Sequence, residues 1–296
     1  MVIWALALLA AIAASFTSAT RTAALIAANA VENAQAEALA DSGARLAILG
    51  LGRFLAAPQT TAPVVVDGSE RTCRIADLGA VRIGIESETG KVDLNNASDA
   101  LLMRLLEGVG AKGLNAASLT DRIADFRDGD GLRRLNGAEA DEYRRAGVPG
   151  GPKDAPFAAV EELGQVLGVS PELAARLRPY VTVYSSSTGI DPRLASADLV
   201  RVLTSRFGDR APAMPVDANA LPQTFVSLTA PNVFLIRSSA ETTAGARFVR
   251  EAIVEIADAR LQKINMLRWY RAEGVDDGKT PKRATAASNP PPLPPC

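Results

Sequence analysis

The sequence predicts an α+β fold: a long N-terminal helix packed on an antiparallel sheet, with an all-helical domain inserted into that sheet. Three observations carry this prediction. The chain holds no proline before Pro58 and is rich in alanine and leucine up to that point, a composition with high helix propensity. Short β-branched segments appear on both sides of the chain's middle, with the alternation of half-buried strands. Between them the texture changes to short amphipathic stretches that open on Ser or Thr and close on Gly or Pro, which reads as helices and turns.

The helix comes first. "MVIWALALLAAIAASFTSAT" runs 20 residues without a charge before Arg21. At 1.5 Å per residue this spans roughly 30 Å, the thickness of a hydrocarbon core. A cleaved signal peptide would carry a basic region ahead of its apolar stretch, and here the apolar residues begin at Met1. Residues 1–24 are therefore read as the membrane half of the helix. Residues 25–94 hold its amphipathic continuation, with Leu39, Leu46 and Leu49 recurring, and the first strands. Gly43, Gly50 and Gly52 are expected to mark the helix end. "PVVVDG", "RTCRIAD" and "AVRIGIESETGKVDL" read as strands.

Residues 95–190 form the inserted α-helical domain, with Ser98, Thr120 and Ser170 as expected caps. "FAAVEELGQVLGVSPELAARLRPYV" reads as a helical pair. Residues 191–272 return to strands in "PNVFLIRSSAET", "ARFVREAIVEIAD" and "KINMLRWYRA". Residues 273–296 are polar and then proline-rich, the composition of a disordered tail.

Composition removes several chemistries. The 296 residues contain no histidine, so Ser-His-Asp and Cys-His catalysis and imidazole metal sites are out. A hydrolase is accordingly the last of the functional readings. The net charge of −1 offers no global basic field, which argues against nucleic acid and acidic lipid. The two cysteines, Cys73 and Cys296, are remote in sequence. Neither a zinc site nor a disulfide framework is expected, and Cys73 reads as a small buried hydrophobe.

Two segments carry chemical signals. "IADFRDGDGLRRLNGAEADEY" gathers Asp125, Asp128, Asp130, Glu139 and Asp141 in one short run. Hard cations such as calcium take six to eight oxygens. Asp128, Asp130 and Glu139 fall at positions 1, 3 and 12 of an EF-hand count, but Arg133 stands where that motif needs Gly. From the residues alone calcium, a solvated loop neutralised by Arg127, Arg133 and Arg134, and catalysis all stay open. Helix phase makes Asp125 and Asp141 secondary candidates. The second segment is Gly108-Val109-Gly110, whose spacing suggests a helix-hairpin-helix DNA module. Residues 95–180, however, hold 11 Lys/Arg against 13 Asp/Glu, where phosphate binding needs clustered cations. A membrane-tethered, competence-like DNA binder is the alternative reading.

Four features together resemble the minor pseudopilin K family of bacterial type II secretion. They are the apolar N-terminal helix, "IESETGKVDLNNAS", "DFRDGDGLRRLNGAEADEY" and "FAAVEELGQVLGVSPELAARLRPYVTVYS". The resemblance covers about residues 1–272 and implies a pilin-like fold with a helical insertion and no enzymatic activity. It implies a bitopic inner-membrane protein with its globular domain in the periplasm, placed at the pseudopilus tip with minor pseudopilins I and J. The amphipathic part of the helix, around Val31 to Leu49, is then expected to bury against the helices of other pseudopilins. The major pseudopilin, the inner-membrane assembly platform and prepilin peptidase are further implied partners, and nucleic acid is not. The resemblance also implies calcium in the acidic run, held by Asp128, Asp130 and Glu139 with Asp125 or Asp141 assisting. If Met1 is the mature start, Ala5 stands where other pseudopilins carry a docking glutamate, which the K family typically lacks. Family precursors begin with a short basic leader; the printed start is either already trimmed or lies downstream of it.

Overall fold

The structure is a computed structural model. It describes residues 2–61, 63–75, 77–111, 113–204, 220–258, 260 and 263–272. The proline-rich tail, expected to be disordered, lies outside the described residues.

In chain order the elements are α1 (Val2–Ala56), β1 (Asp67–Ile75), β2 (Gly79–Ser87), β3 (Val92–Asp93), α2 (Asp99–Gly108), α3 (Leu114–Arg127), α4 (Ala140–Arg145), α5 (Pro171–Leu177), β4 (Val181–Thr182), α6 (Ala197–Thr204), β5 (Val233–Thr242), β6 (Arg247–Asp258) and β7 (Lys263–Arg271). Five strands form one antiparallel sheet in the order β1-β2-β5-β6-β7. β2 and β5 are neighbours, with Ser87 opposite Phe234. Everything from 88 to 232 therefore leaves the sheet and returns to it between two adjacent strands, as an insertion must.

α1 runs through Gly43, Gly50 and Gly52 rather than ending there, and stops two residues before Pro58. Its second half buries Ala36, Leu39, Ala40, Gly43, Ala44, Ala47, Ile48 and Leu51, one face at helical spacing. That face lies on the chain's own sheet, against Val81, Ala240 and Phe248 at one end and Phe234, Ile236 and Val254 at the other. Gly43 explains the missed helix end. A Cβ there would lie 2.5 Å from Ser238 Oγ on β5, so the glycine lets the helix approach closely, offsetting a helical penalty of about 1 kcal/mol. Leu46 and Leu49, unlike Leu39, point outward and are about half exposed. The contact is locked by Arg250 on β6, which is buried, bonds Glu37 and Asp41 at 2.7 and 2.6 Å, and stacks over Trp269.

The first half of α1 packs on nothing in the chain. Trp4, Leu6, Leu8, Leu9, Ile12 and Phe16 are all exposed, and the helix is long and apolar enough to cross a membrane. Val64–Val66 are not in a strand. β1 starts at Asp67, and Val64 and Val66 instead pack against the helix–sheet core. β1 is an edge strand with mostly exposed side chains. Cys73 on it is not a free buried thiol as expected: it is disulfide-bonded.

The insertion has its own core, with Leu101, Leu102, Leu105, Leu106, Leu119 and Phe126 fully buried. Phe126 and Phe157 stack at 4.8 Å. Ser98 and Ser170 cap α2 and α5 as expected. Thr120 does not cap; it lies inside α3 and its hydroxyl donates to the Ala116 carbonyl. "VEELGQ" winds as a 3-10 turn rather than an α-helix. The helical core also continues past residue 190. Leu199, Val200 and Leu203 of α6, with Leu221 and Phe225, are part of it. A polar joint fastens it to the sheet. Buried Lys91 bonds Glu86 and Glu88 at 2.9 Å each, and Glu88 accepts from the Thr182 hydroxyl on β4. Burial pulls the Lys91 ammonium down, but Glu88 and Glu86 together hold it above its ordinary value.

Candidate metal centre

α3 builds the site by presenting one face to the loop that follows it. Ser118, Asp121 and Asp125 are spaced three, then four residues apart, so they line up on that face. Ser118 donates to the Asn136 carbonyl at 2.9 Å. Asp121 accepts the Asn136 N–H and side-chain amide at 3.0 and 3.1 Å. Asp125, fully buried, accepts the Arg134 N–H at 3.3 Å. Gly137 passes directly over it: a Cβ there would sit 1.8 Å from Asp125 Oδ2. Only glycine fits, and the loop is thereby folded back so that Glu139 faces the end of α3.

Asp128 caps the C-terminus of α3, and its side chain is followed by Asp130, which accepts the Leu132 N–H at 2.8 Å. Glu139 is the N-cap residue of α4. A further acid arrives from outside the run. Asp154 lies in a segment held down by Asn95, which exchanges hydrogen bonds of 2.7 and 3.0 Å with the Phe157 backbone. Asp154 adopts a left-handed φ of 53°, a conformation Asp tolerates. Sequence reading missed this residue. Its only signal is an Asp set among turn residues in "GGPKDAPF", and nothing local ties that stretch to the acid run.

The electrostatics show which of these carboxylates meet. Burial, then Asp125, Asp154, Asp128 and Asp130, push Glu139 up to about 7. Burial and Asp130 raise Asp128, and burial raises Asp125. Asp128 Oδ1 and Glu139 Oε1 are buried without a hydrogen-bond partner. Unpaired buried oxygens are costly, and on two carboxylates that already repel they are candidate ligands for a cation. Among the described residues no three acids stand close enough to form a ready-made coordination sphere. The all-oxygen donor set suits calcium, which tolerates irregular geometry. Asp125 acts mainly as the loop's anchor. Asp141 lines the adjoining open concavity of about 840 Å³, but its side chain is 63% exposed and pairs with Arg144 at 3.0 Å.

Besides Arg144 on Asp141, Arg134 alone of the arginines reaches a candidate ligand among the described residues, standing 4.0 Å from Asp125. Arg134 pairs with Asp99 at 2.6 Å, Arg133 with Glu142 at 3.7 Å, and Arg127 donates to the Leu94 and Ala97 carbonyls. Asp128 and Glu139 thus keep no arginine partner among these pairs. The Gly108–Gly110 turn has a packing role. A Cβ on Gly108 would lie 2.4 Å from the Val202 carbonyl of α6, so the turn is filled by protein.

Comparison with known proteins bears on the whole arrangement. Residues 81–186 match the sequence model of the family "Type II secretion system (T2SS), protein K". The chain is 30% identical over 122 residues to the type II secretion system protein K of Pectobacterium carotovorum subsp. carotovorum, covering 39% of this chain and 37% of the relative. It is 38% identical over 89 residues to that of Klebsiella pneumoniae, covering 30% and 27%. These alignments thus span well under half of the relatives' lengths. In structure it matches a chain of the GspK–GspI–GspJ complex from the enterotoxigenic Escherichia coli type 2 secretion system. The TM-score is 0.58 at 17% identity, over 86% of this chain and 99% of that one. That likeness shows the fold: a pilin-like helix on a sheet with an inserted helical domain. The sequence likeness to the type II secretion system protein K family is thus carried by residues 81–186.

Proposed function

We propose that this chain is a structural minor pseudopilin at the tip of a type II secretion pseudopilus, supporting protein export, and not an enzyme. One observation carries the reading: an insertion between adjacent strands of a helix-on-sheet fold, matched along nearly the whole of a chain from the GspK–GspI–GspJ complex. Residues 1–24 anchor it singly in the inner membrane, with the globular domain on the periplasmic side. Its neighbours are I- and J-type minor pseudopilins; the major pseudopilin, the assembly platform and prepilin peptidase act on it or join it during assembly.

Calcium belongs to the same proposal. Asp128, Glu139, Asp130 and Asp154 would hold it, with Asp125 fixing the loop. The ion would neutralise mutual repulsion and tie the end of α3, the start of α4 and the Asp154 segment together. The chemistry it supplies is cross-linking alone.

The test of the tip reading is co-purification. Tagged full-length chain, extracted in detergent and mixed at micromolar concentration with I- and J-type pseudopilins, should elute with both. If I and J elute together and this chain elutes alone, the reading fails.

A further inference from the structure

We propose that Asn95, which lies outside the acid run, is a positioning residue that sets the site's preference for calcium over magnesium, acting through the backbone of Phe157 and hence through Asp154; this rests on the calcium binding proposed above.

The segment that carries Asp154 runs past both halves of the acid run. A Cβ on Gly151 would lie 3.4 Å from Ala140 Cα, next to Glu139 at the start of α4. A Cβ on Gly129 would lie 3.8 Å from the Asp154 carbonyl oxygen, which places that carbonyl close to the turn between Asp128 and Asp130. Three residues on, the Phe157 ring stacks on Phe126, near the end of α3. A third stretch of chain thus brings a carboxylate and a carbonyl towards the end of α3 and the start of α4. Charge agrees with this placement, since Asp154 is among the groups that raise both Glu139 and Asp128.

Asn95 holds this stretch down. Its side-chain oxygen accepts the Phe157 N–H at 2.7 Å and its amide donates to the Phe157 carbonyl at 3.0 Å, so one side chain takes both backbone groups of one residue. Asn95 is itself fixed. Its own N–H donates to Asp93 Oδ1 at 2.8 Å. Asp93 is fully buried on β3, and its Oδ2 accepts the Ser186 N–H at 2.8 Å and the Ser185 hydroxyl at 3.1 Å. β3 pairs in turn with β4. Within the stretch, Lys153 donates to the Pro156 carbonyl and to Glu162 at 2.8 Å each, and the Ala158 N–H donates to Glu162 at 3.0 Å. Those bonds shape the turn around Asp154, and Asn95 ties the turn to the β3–β4 pair.

The two cations use such a stretch differently. Calcium takes six to eight oxygens in flexible geometry, whereas magnesium keeps several waters and is held through one or two carboxylates. Oxygens from a third stretch therefore add more to the calcium sphere than to the magnesium one. A side chain that fixes that stretch raises calcium affinity selectively, as outer partners of metal ligands do.

The test titrates the metal-stripped full-length chain, in detergent, with calcium chloride and separately with magnesium chloride in a calorimeter. Asn95→Ala should weaken calcium binding about tenfold or more and leave magnesium binding unchanged. Asp154→Asn should do the same. Adding Asn95→Ala to Asp154→Asn should cost little further calcium affinity, because both act on one path. Asn95→Asp keeps an acceptor for the Phe157 N–H and loses only the donated bond; it should show a smaller calcium loss in a chain that melts normally, which covers a failure of the alanine variant to fold. Equal weakening for both cations, full additivity with Asp154→Asn, or calcium binding indifferent to residue 95 overturns the positioning role and leaves the calcium site standing. No calcium heat from the unaltered chain defeats the site and the positioning role together.

Discussion

If calcium binds as proposed, its affinity should depend on pH around neutrality, because the proposed ligand Glu139 is pushed up to about 7. A carboxylate must lose its proton before it ligates, so apparent affinity follows the ionised fraction. For a group titrating at about 7 that fraction is roughly nine-tenths at pH 8 and one-tenth at pH 6. The apparent Kd should therefore weaken about tenfold between those values, or about 1.4 kcal/mol. Calorimetry in two buffers of different ionisation heat should show about half a proton released per calcium at pH 7, and Glu139→Gln should abolish both that release and the slope. The metal-free protein carries the opposite signature. Glu139 is raised from an ordinary value of 4.5, so its contribution to stability is fully present below that value and lost as pH rises through about 7. Asp125 and Asp128 are raised too and act with the same sign. Metal-stripped protein should thus melt progressively lower from about pH 5 to 7.5, and calcium should restore the loss at the upper end. A calcium Kd that is flat from pH 6 to 8, or no binding at millimolar calcium, would refute this reasoning and return the cluster to a charged loop.

Asp128→Ala should remove the calcium-induced rise in Tm, whereas Asp141→Ala, on an exposed side chain paired with Arg144, should leave it intact; thermal melts with and without calcium decide. Lys91→Met strands Glu86 and Glu88 in a buried joint and should cost about 3–5 kcal/mol in denaturant unfolding. Tyr143→Phe removes the acceptor of the Leu167 N–H and should cost about 1–2 kcal/mol by the same measurement, with calcium binding retained. Leu46→Ser with Leu49→Ser, both outward on α1, should leave Tm unchanged yet weaken association with I and J roughly tenfold or more, since each buried leucine contributes about 1.5–3 kcal/mol.

Periodicity made most of the scaffold legible. β5 and β6 announce themselves by β-branched residues, β7 by Trp269 and Tyr270, and Ser98 and Ser170 by standing directly before apolar spacing. What stayed hidden depends on contacts far apart in sequence. Gly43 reads locally as a helix breaker, and only the approach of Ser238 explains why helix is kept there. Val64 and Val66 read as strand because they are β-branched, but they fill the helix–sheet core instead. In the acid run, Asp128, Asp130 and Glu139 were readable because turn residues separate them. Asp154 was not, because the Asn95–Phe157 bonds that bring it in are a tertiary event. Cys73 was misread because a disulfide leaves no local trace in the residues around it.

The place where the insertion joins the sheet bears on the proposed position at a filament tip. Two levels can be read along α1. Ala36, Leu39 and Ala40 pack at the level of Val81, Ala240 and Phe248, nearer the apolar half of the helix. Ala47, Ile48 and Leu51 pack at the level of Ile85, Phe234 and Val254, farther from it. The insertion departs after Ser87 and returns before Val233, so it hangs from the far level, beside the end of α1. If α1 is anchored by its first residues as proposed, the insertion, and the acidic loop within it, lies at the end of α1 most distant from the anchor. On the outward surface of α1, Leu25, Ile26, Val31, Leu46 and Leu49 remain about half exposed or more. An insertion at one end and an apolar helix surface at the side are compatible with the proposed first subunit with lateral neighbours.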